Sequence, residues 1–375
     1  MKEAYQRVEN ARTIVIKVGT SLLTYESGKL NLEYLEKIAQ KIAGIKNQGR
    51  EIVLVSSGAV GAGIGRMNMK RRPASVPEKQ ASAAIGQGLL VQFYEKFFSE
   101  YGHVVAQILL TRADLMDRQR YINASNTIST LLRWGVIPVI NQNDTVAVEE
   151  IEFGDNDFLS ALVSGLIDAD LLINLTDIEG LYDSNPQENP DARLIPVVEK
   201  ITPEIKRQAG SASTEFSTGG MRAKIRAADI AVNSGVDMVV TGGRDLENLT
   251  SLLNGEPAGT LFLAQDRYLC RRKRWIAYSR VPRGVLTVDR GASKALIEEN
   301  KSLLPVGVIS VEGTFQIGDM VRVKDQDGKE VGRGLVNFDS EELKRILNLP
   351  SSEVDKVLGR EVDEEVIHRD NLVVN

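Results

Sequence analysis

The chain has 375 residues, of which 42% are hydrophobic and 26% charged, and its formal net charge is −5 at pH 7. This is ordinary globular composition, long enough for two domains, and the charge gives no general reason to expect a nucleic-acid partner. The single cysteine, Cys270, excludes an internal disulfide and a zinc site of paired cysteines, and two histidines, His103 and His368, argue against histidine-based catalysis. Polar first residues and the lack of an apolar run of about 18 residues predict a cytoplasmic protein without a membrane span.

Short apolar runs alternate with helical patterns up to about residue 265. The six predicted strands are 13–19, 51–58, 103–110, 136–141, 171–177 and 237–243. A predicted helix after the first strand ends at Gly49, and its apolar face consists of Leu32, Leu35, Ile38, Ala39, Ile42 and Ile45. Because strands that are apolar on both faces suit a parallel sheet covered by helices, we predict an α/β fold, a three-layer αβα sandwich with a mainly parallel sheet.

The remainder of the chain has a different pattern. Residues 267–283 contain the basic run RRKR and are interpreted as a linker that follows a first domain at 1–266. Short strands, glycine turns and one helix near 340–347 predict a small, mostly β domain at 284–361, and 362–375 is interpreted as a tail.

Glycine and polar residues follow four of the predicted strands. They form the stretches KVGTS at 17–21, SSGAVGAG at 56–63, NQND at 141–144 and LTDIEG at 175–180. Because ligands of open parallel sheets collect beyond the carboxyl ends of the strands, we predict one shared polar cleft. The P-loop and the dinucleotide-binding fingerprint are absent, so the glycines of GAVGAGIG at 58–65 are predicted to bring backbone amides close to an anion.

Two lysines are candidates for holding a phosphate chain. Lys17 lies inside an apolar strand, and Lys224 follows Gly219 and Gly220 at a predicted helix start in STGGMRAKIRAA, 217–228. A helix start adds about half a positive charge, and phosphoryl transfer needs mainly positioning, cations and a metal on the phosphates. A solvated surface position is the alternative for Lys224. Any metal is expected to be oxygen-bound, with Mg²⁺ on the nucleotide favoured over a site made by the protein.

A dense acidic string, GDND, precedes an apolar helix. Asp155 and Asp157 flank Asn156 there. Asp157 could be a plain helix N-cap, or the string could hold the two lysines or a substrate ammonium group.

The order of these motifs resembles the glutamate 5-kinases of the amino acid kinase family. The motifs are KVGTS, SSGAVGAG, LLTRAD, PVINQNDTV, GDNDFLSA, LTDIEGLY and TGGMRAKIRAA. The resemblance extends to the C-terminal domain, which is similar to a PUA domain. It implies ATP-dependent phosphorylation of the side-chain carboxylate of L-glutamate to L-glutamyl 5-phosphate, the first step of proline biosynthesis. It also implies feedback inhibition by proline and a homo-oligomer.

The resemblance assigns roles residue by residue. Lys17, Asp157 and Lys224 match catalytic positions, and Ser57, Asp144 and Asn156 match glutamate-binding positions. The positions that match ATP contacts are Lys17, Thr176, Asp177, Thr218, Gly219, Gly220, Met221, Arg222, Ala223 and Lys224. The chain departs from the usual family residues at Gln142, Asn185, Ser217 and Ala223, which leaves the nucleotide pocket and its metal affinity open.

Two other functions remain as alternatives. A sibling kinase that acts on another acid or on carbamate would share KVGTS, whereas GDND, NQND and the terminal domain favour glutamate. An RNA-binding PUA protein is the alternative from another class. Residues 284–375 contain 12 Lys and Arg against 18 Asp and Glu, a net charge of −6, which disfavours contact with a phosphate backbone.

Overall fold

The protein is represented by a computed structural model. It describes residues 2–25, 27–69, 71–146, 156–186, 188–211, 220–264, 282–299, 301–347, 349–360 and 365–374, without the side chains of 208–211, 351, 352 and 370. The chain divides into two compact units, Met1–Tyr268 and Leu269–Asn375. Most of the predicted linker lies outside the described residues, so its boundaries stay a prediction.

The first unit is built on one eight-stranded sheet. Its strands are β1 Thr13–Val18, β2 Glu51–Ser56, β3 Val105–Leu110, β4 Ile137–Gln142, β5 Leu171–Thr176, β6 Val197–Val198, β7 Asp237–Gly242 and β8 Thr260–Phe262. The strand order is β3-β4-β2-β1-β5-β7-β8-β6, and only the β7–β8 pair is antiparallel. The predicted mainly parallel sheet and its six strands are confirmed. Sequence analysis missed β6 and β8, because two and three residues are too few to show a periodic pattern.

Helices cover both faces of this sheet. The helices of the first unit are α1 Lys2–Glu9, α2 Thr20–Leu23, α3 Leu32–Asn47, α4 Ala59–Arg66, α5 Val76–Glu100, α6 Arg112–Met116, α7 Arg118–Arg133, α8 Asn156–Leu166, α9 Pro203–Ser211, α10 Met221–Asn233 and α11 Glu247–Leu253. Helix α8 packs on β1, β2, β4 and β5, and α10 packs on α8 and β7. The opposite face of the sheet buries Ile14 and Ile16 against Leu35 and Ile38 of α3. The three-layer αβα architecture is thereby confirmed.

The predicted helix after β1 is α3, and its apolar face is confirmed except at one end. Leu35, Ile38 and Ile42 are fully buried, whereas Leu32 is 41% exposed. Leu32 is the first residue of the helix, directly after the cap Asn31, so it lies beyond the surface that the core covers. Within the described part of the chain, no helix combines the length and apolar character needed to cross a membrane.

The second unit contains a five-stranded sheet with its own core. Its strands are β9 Gly284–Val288, β10 Val308–Gly313, β11 Met320–Lys324, β12 Glu330–Leu335 and β13 Leu372–Val374, in the order β10-β9-β11-β12-β13. Its helices are α12 Arg290–Glu298, α13 Ser340–Arg345 and α14 Ser351–Leu358. The single helix predicted near 340–347 is therefore one of three among the described residues. Helix α12 was missed because its pattern is weakly apolar, with Leu296 as its buried residue. Strand β13 pairs with β12, so the segment interpreted as a tail contributes to the sheet.

Candidate active site

The strand order brings the four polar stretches together. Strands β4, β2, β1 and β5 are consecutive neighbours and all run parallel. Their carboxyl ends therefore meet at one edge of the sheet, where an open α/β sheet binds its ligands. Gly58 has a φ of 95° at the N-cap of α4, a left-handed conformation that favours glycine.

One later glycine of this stretch, Gly63, serves helix packing. A Cβ added at Gly63 would lie 1.9 Å from the backbone oxygen of Ser82 in α5. From the α5 side, a Cβ at Gly86 would lie 1.8 Å from the backbone oxygen of Ala59. Helices α4 and α5 thus approach each other closely through glycines. Close packing of α4 on α5 is therefore a reason for glycine at position 63 that the interpretation of GAVGAGIG as an anion loop did not include.

A buried cluster of two lysines and one carboxylate lies at this edge. Lys17 of β1 pairs with Oδ1 of Asp157 in α8, and Lys224 Nζ of α10 lies 3.1 Å from its Oδ2. The three residues are only 6%, 1% and 4% exposed, in that order. Two ammonium groups share one carboxylate, so the cluster carries a net positive charge. The solvated alternative for Lys224 is wrong, because packing of α10 on α8 buries its side chain.

Asp157 is more than a helix cap. It lies inside the first turn of α8, which begins at Asn156, and its side chain faces the two lysines. Burial raises the pKa of Asp157, but the charges of Lys17 and Lys224 outweigh burial and hold that pKa well below its usual range. The carboxylate is therefore ionised throughout the neutral range.

Asn174 is a cluster residue that sequence analysis missed. It is paired in register with Lys17 on the neighbouring strand, so both side chains lie on the same face of the sheet. Its Nδ2 donates a 2.8 Å hydrogen bond to Asp157 Oδ1, and it is fully buried. The indication available in the sequence was a lone amide in the apolar run LLINLT, which a buried strand retains only for a specific partner.

A second buried network contains two of the three predicted glutamate-binding residues, Ser57 and Asn156. Asn156 Nδ2 lies 3.0 Å from Ser57 Oγ, 3.0 Å from the Ser56 carbonyl oxygen and 2.9 Å from Asn141 Oδ1. Asn141 Nδ2 in turn donates to Gln87 Oε1 at 2.6 Å. These contacts fix the Asn156 amide, whose Oδ1 is buried with no hydrogen-bond partner among the described residues. A fixed, unused acceptor of this kind suits an ammonium donor.

The other predicted site residues have varied surroundings. Asp144 is half-buried two residues beyond β4. Thr176 ends β5, is buried, and donates a 3.0 Å hydrogen bond to the exposed Asp177. Gly220 caps α10, and Met221, Arg222 and Ala223 form its first turn, with Arg222 exposed. Thr218, Gly219 and Asp155 lie outside the described residues.

The donor set does not favour a metal ion held by protein side chains. Both oxygens of Asp157 already accept from lysine, and Oδ1 also accepts from Asn174. Among the residues that the structure describes, no three Asp, Glu, His or Cys side chains converge on one point. The site therefore fits an ion that is held by the phosphates of a nucleotide better than a dedicated protein cage.

The chain matches known proteins over nearly its full length. Residues 12–242 match the amino acid kinase family, and residues 284–358 match the PUA domain. A glutamate 5-kinase of Caldanaerobacter subterraneus is 54% identical over 361 residues, covering 96% of this chain and 97% of that protein. A glutamate 5-kinase of Moorella thermoacetica is 50% identical over 373 residues, covering 100% and 99%.

A solved structure shares the fold of the first unit. Carbamate kinase from Giardia lamblia bound to AMP-PNP has a TM-score of 0.50 and 18% identity, and it covers 68% of this chain and 100% of that chain. The family match, the near-complete coverage of the relatives and the shared fold lead to one assignment. The chain belongs to the amino acid kinase family, among its glutamate 5-kinases, and carries a C-terminal PUA domain.

Proposed function

We propose that the protein transfers the terminal phosphoryl group of ATP to the side-chain carboxylate of L-glutamate, giving L-glutamyl 5-phosphate and ADP. The observation that carries this proposal is the buried Lys17–Asp157–Lys224 cluster at the carboxyl edge of the sheet. Its presence in a chain about half identical to glutamate 5-kinases over its full length supports this reaction over others of the family. In the cell, we propose, the reaction is cytoplasmic and begins proline biosynthesis.

The charge balance of the cluster suits phosphoryl transfer. An anionic nucleophile must approach an anionic phosphate, so the main barrier is repulsion and the accumulation of charge on the transferring group. Asp157 neutralises only one of the two ammonium groups and keeps both oriented. The remaining positive charge is preorganised in a site that excludes water, where it stabilises the transition state more than it would in solution.

The nucleophile needs no general base. A glutamate side chain has a pKa of about 4.3 and is already ionised at neutral pH. This agrees with a cluster that contains no histidine. The protein therefore has to bind the two substrates in line and to screen their charges.

The Asn156 network is proposed to orient glutamate. Ser57 offers a hydroxyl, and the unused Oδ1 of Asn156 accepts from the substrate ammonium. Asp144, from the loop after β4, supplies a negative charge for the same ammonium. Ser57 follows β2, Asp144 follows the neighbouring strand β4, and Asn156 begins α8. We propose that the three residues lie on the nucleophile side of the lysine cluster.

ATP is proposed to bind between the end of β5 and the start of α10. Thr176 and Asp177 are proposed to contact the nucleoside side, and Gly220 and the first turn of α10 are proposed to present backbone amides to the phosphates. Mg²⁺ is expected to enter on the nucleotide and to neutralise phosphate charge there. Lys17 and Lys224 then contact the transferring group directly.

A hydroxamate-trapping assay tests the substrate assignment. With ATP, Mg²⁺ and a panel of acids, we expect trapped acyl phosphate with glutamate, and little with aspartate or carbamate. Equal turnover of aspartate would contradict the glutamate assignment. Product formed with carbamate alone would favour the sibling kinase.

Regulation and assembly are further parts of the proposal. We expect proline to compete with glutamate, because their sites are proposed to overlap at residues 144–157, and we expect a homo-oligomer. Initial rates at a large excess of proline test the first point, and sedimentation velocity tests the second. Rates that excess proline leaves unchanged would contradict inhibition by proline, and a monomer in sedimentation would contradict the homo-oligomer.

A further inference from the structure

The C-terminal sheet has a charged row on one face. Val321 and Val323 of β11 are buried in the core of the unit, so Arg322 and Lys324 between and beyond them point to the opposite face. The register across the sheet continues this row from strand to strand: Glu312, Val285, Arg322, Arg333 and Val373 are consecutive partners. Two arginines are thus direct neighbours, with a valine on each side.

Arg322 and Arg333 repel each other in this arrangement. Directly opposed residues on antiparallel strands have Cβ atoms about 4.5–5.5 Å apart, and like charges at that distance destabilise the pair. Acidic residues are plentiful in this region, with 18 Asp and Glu against 12 Lys and Arg in residues 284–375. No carboxylate nevertheless separates the two guanidinium groups in the row.

The hydrogen bonding of the two arginines leaves donors unused. Arg333 Nε donates to Glu330 Oε1 at 2.6 Å, a bond that orients the guanidinium and uses none of its terminal nitrogens. Arg322 is half-buried, and its Nε is inaccessible and has no hydrogen-bond partner among the described residues. Leaving a buried donor unpaired costs about 1–3 kcal/mol, and more for a charged group.

We propose that Arg322 and Arg333 form a binding site for one small oxyanion, a phosphate or carboxylate group. Planar guanidinium groups bind such oxygens in pairs, and an anion placed between them converts their repulsion into two attractions. Lys324 lies two residues along β11, where its register partner is Glu330. The half-buried Val285 and Val373 reduce competition from water at the two ends.

The surrounding charge favours a compact anion over a nucleic acid. An RNA strand would place several further phosphates over a unit of net charge −6, and those phosphates would be repelled. A single anionic group needs only the local arginine pair. The site would give the second unit a ligand of its own, separate from the residues proposed to act in phosphoryl transfer.

The test uses the full-length chain saturated with ADP, so that the nucleotide site does not bind the probe. Calorimetric titration with inorganic phosphate and, separately, with acetate measures the affinity of the site for each oxyanion. We expect one event per chain with at least one of these probes. Arg322→Gln and Arg333→Gln should each weaken it by about tenfold or more. Arg290→Gln, an exposed arginine of the same unit, is the matched control and should leave it unchanged.

Thermal unfolding separates binding from damage to the fold. Without the probe, Arg322→Gln should melt at or above the wild-type temperature, because it relieves the like-charge pair. With the probe, only the wild type and Arg290→Gln should gain stability. Affinity that is equal in all four proteins, or no binding of either probe, would overturn the site. Salt-sensitive binding of a single-stranded RNA that both arginine variants abolish would overturn the compact-anion assignment.

Discussion

The cationic side chains of the two sheets differ in burial and in the counter-ions that the protein provides for them. In the first unit, Lys17 and Lys224 are buried and share the carboxylate of Asp157. In the second, Arg322 and Arg333 are register partners on a half-buried face, where Glu330 pairs with Arg333 but no carboxylate of the described residues pairs with Arg322. A sheet covered by helices on both faces must enclose the counter-ion of a charge when it folds, since desolvating an unpaired charge is too costly. A half-buried cation such as Arg322 can instead take its counter-ion from solution.

Removing the shared carboxylate should have the largest effect on stability. Asp157→Asn keeps the shape of the side chain but removes the negative charge that the two buried ammonium groups share. We expect a loss of about 3–5 kcal/mol in the free energy of unfolding, measured by urea titration at pH 7. Asp229→Asn is the control, because Asp229 pairs with Lys206 on the surface of the same layer. Such a partly exposed pair should contribute about 1 kcal/mol or less. Equal losses in the two variants would show that burial does not distinguish these pairs.

The lowered pKa of Asp157 predicts how the stability of the protein changes with pH. The pKa of Asp157 is lower in the folded state than in the unfolded chain, so its stabilising effect is complete above the ordinary aspartate pKa of about 3.9. That effect is lost as the pH falls toward the folded-state pKa. Asp157→Asn should therefore unfold with a weaker pH dependence below about pH 4 than the wild type. If the free energy of unfolding changes equally with pH in the two proteins, Asp157 does not have a lowered pKa in the folded state.

Removing the ammonium group of Lys224 should have the next largest effect, and this effect is on catalysis. Lys224→Ala removes charge that stabilises the transferring phosphoryl group, and we expect kcat to fall by about 10²–10³-fold, or roughly 3–4 kcal/mol, with a smaller change in KM for glutamate. Arginine at 224 should rescue poorly, because a planar fork does not replace a compact ammonium. Lys206→Ala on the surface is the matched control. A normal kcat with only a raised KM for ATP would assign Lys224 to ground-state nucleotide binding.

A smaller effect is expected from the amide that supports the cluster. Asn174→Leu removes a donor to Asp157 but also removes a buried carbonyl, Asn174 Oδ1, that has no partner in the described structure. Stability should change little, while kcat falls on the order of fivefold, the equivalent of about 1 kcal/mol for one hydrogen bond. Thr241→Val on the opposite face is the control, since its hydroxyl is likewise buried without a described partner. Equal kcat values in the two variants would remove the positioning role of Asn174.

Removing the second unit should have the smallest effect on turnover. A chain that stops after Pro282 keeps every residue proposed for catalysis, all of which precede residue 225. We expect kcat and both KM values to stay close to those of the full chain. Lost turnover in a truncated protein with a normal circular dichroism spectrum would mean that the second unit completes the active site.

Much of the fold follows from local patterns. The strand at 171–176 is apolar at four of its six positions, and the helix at 32–47 repeats its apolar residues with helical spacing, so both are recognisable without tertiary information. The strands of two and three residues, β6 and β8, are not recognisable in this way. Strand β8 forms because β7 is in place to hydrogen-bond with it, and β6 forms by pairing with β8.

The sequence by itself determined which groups are available for chemistry: two lysines beside glycines, one acidic string, and almost no histidine or cysteine. It also determined their order along the chain, on which the family resemblance depends. Only the tertiary structure decided that Asp157 binds both lysines, that Asn174 joins them, and that Gly63 serves helix packing. Residues 17, 157 and 224 meet because parallel strands and their helices return the chain repeatedly to one edge. Such long-range contacts depend on how the elements pack, and no local pattern encodes them.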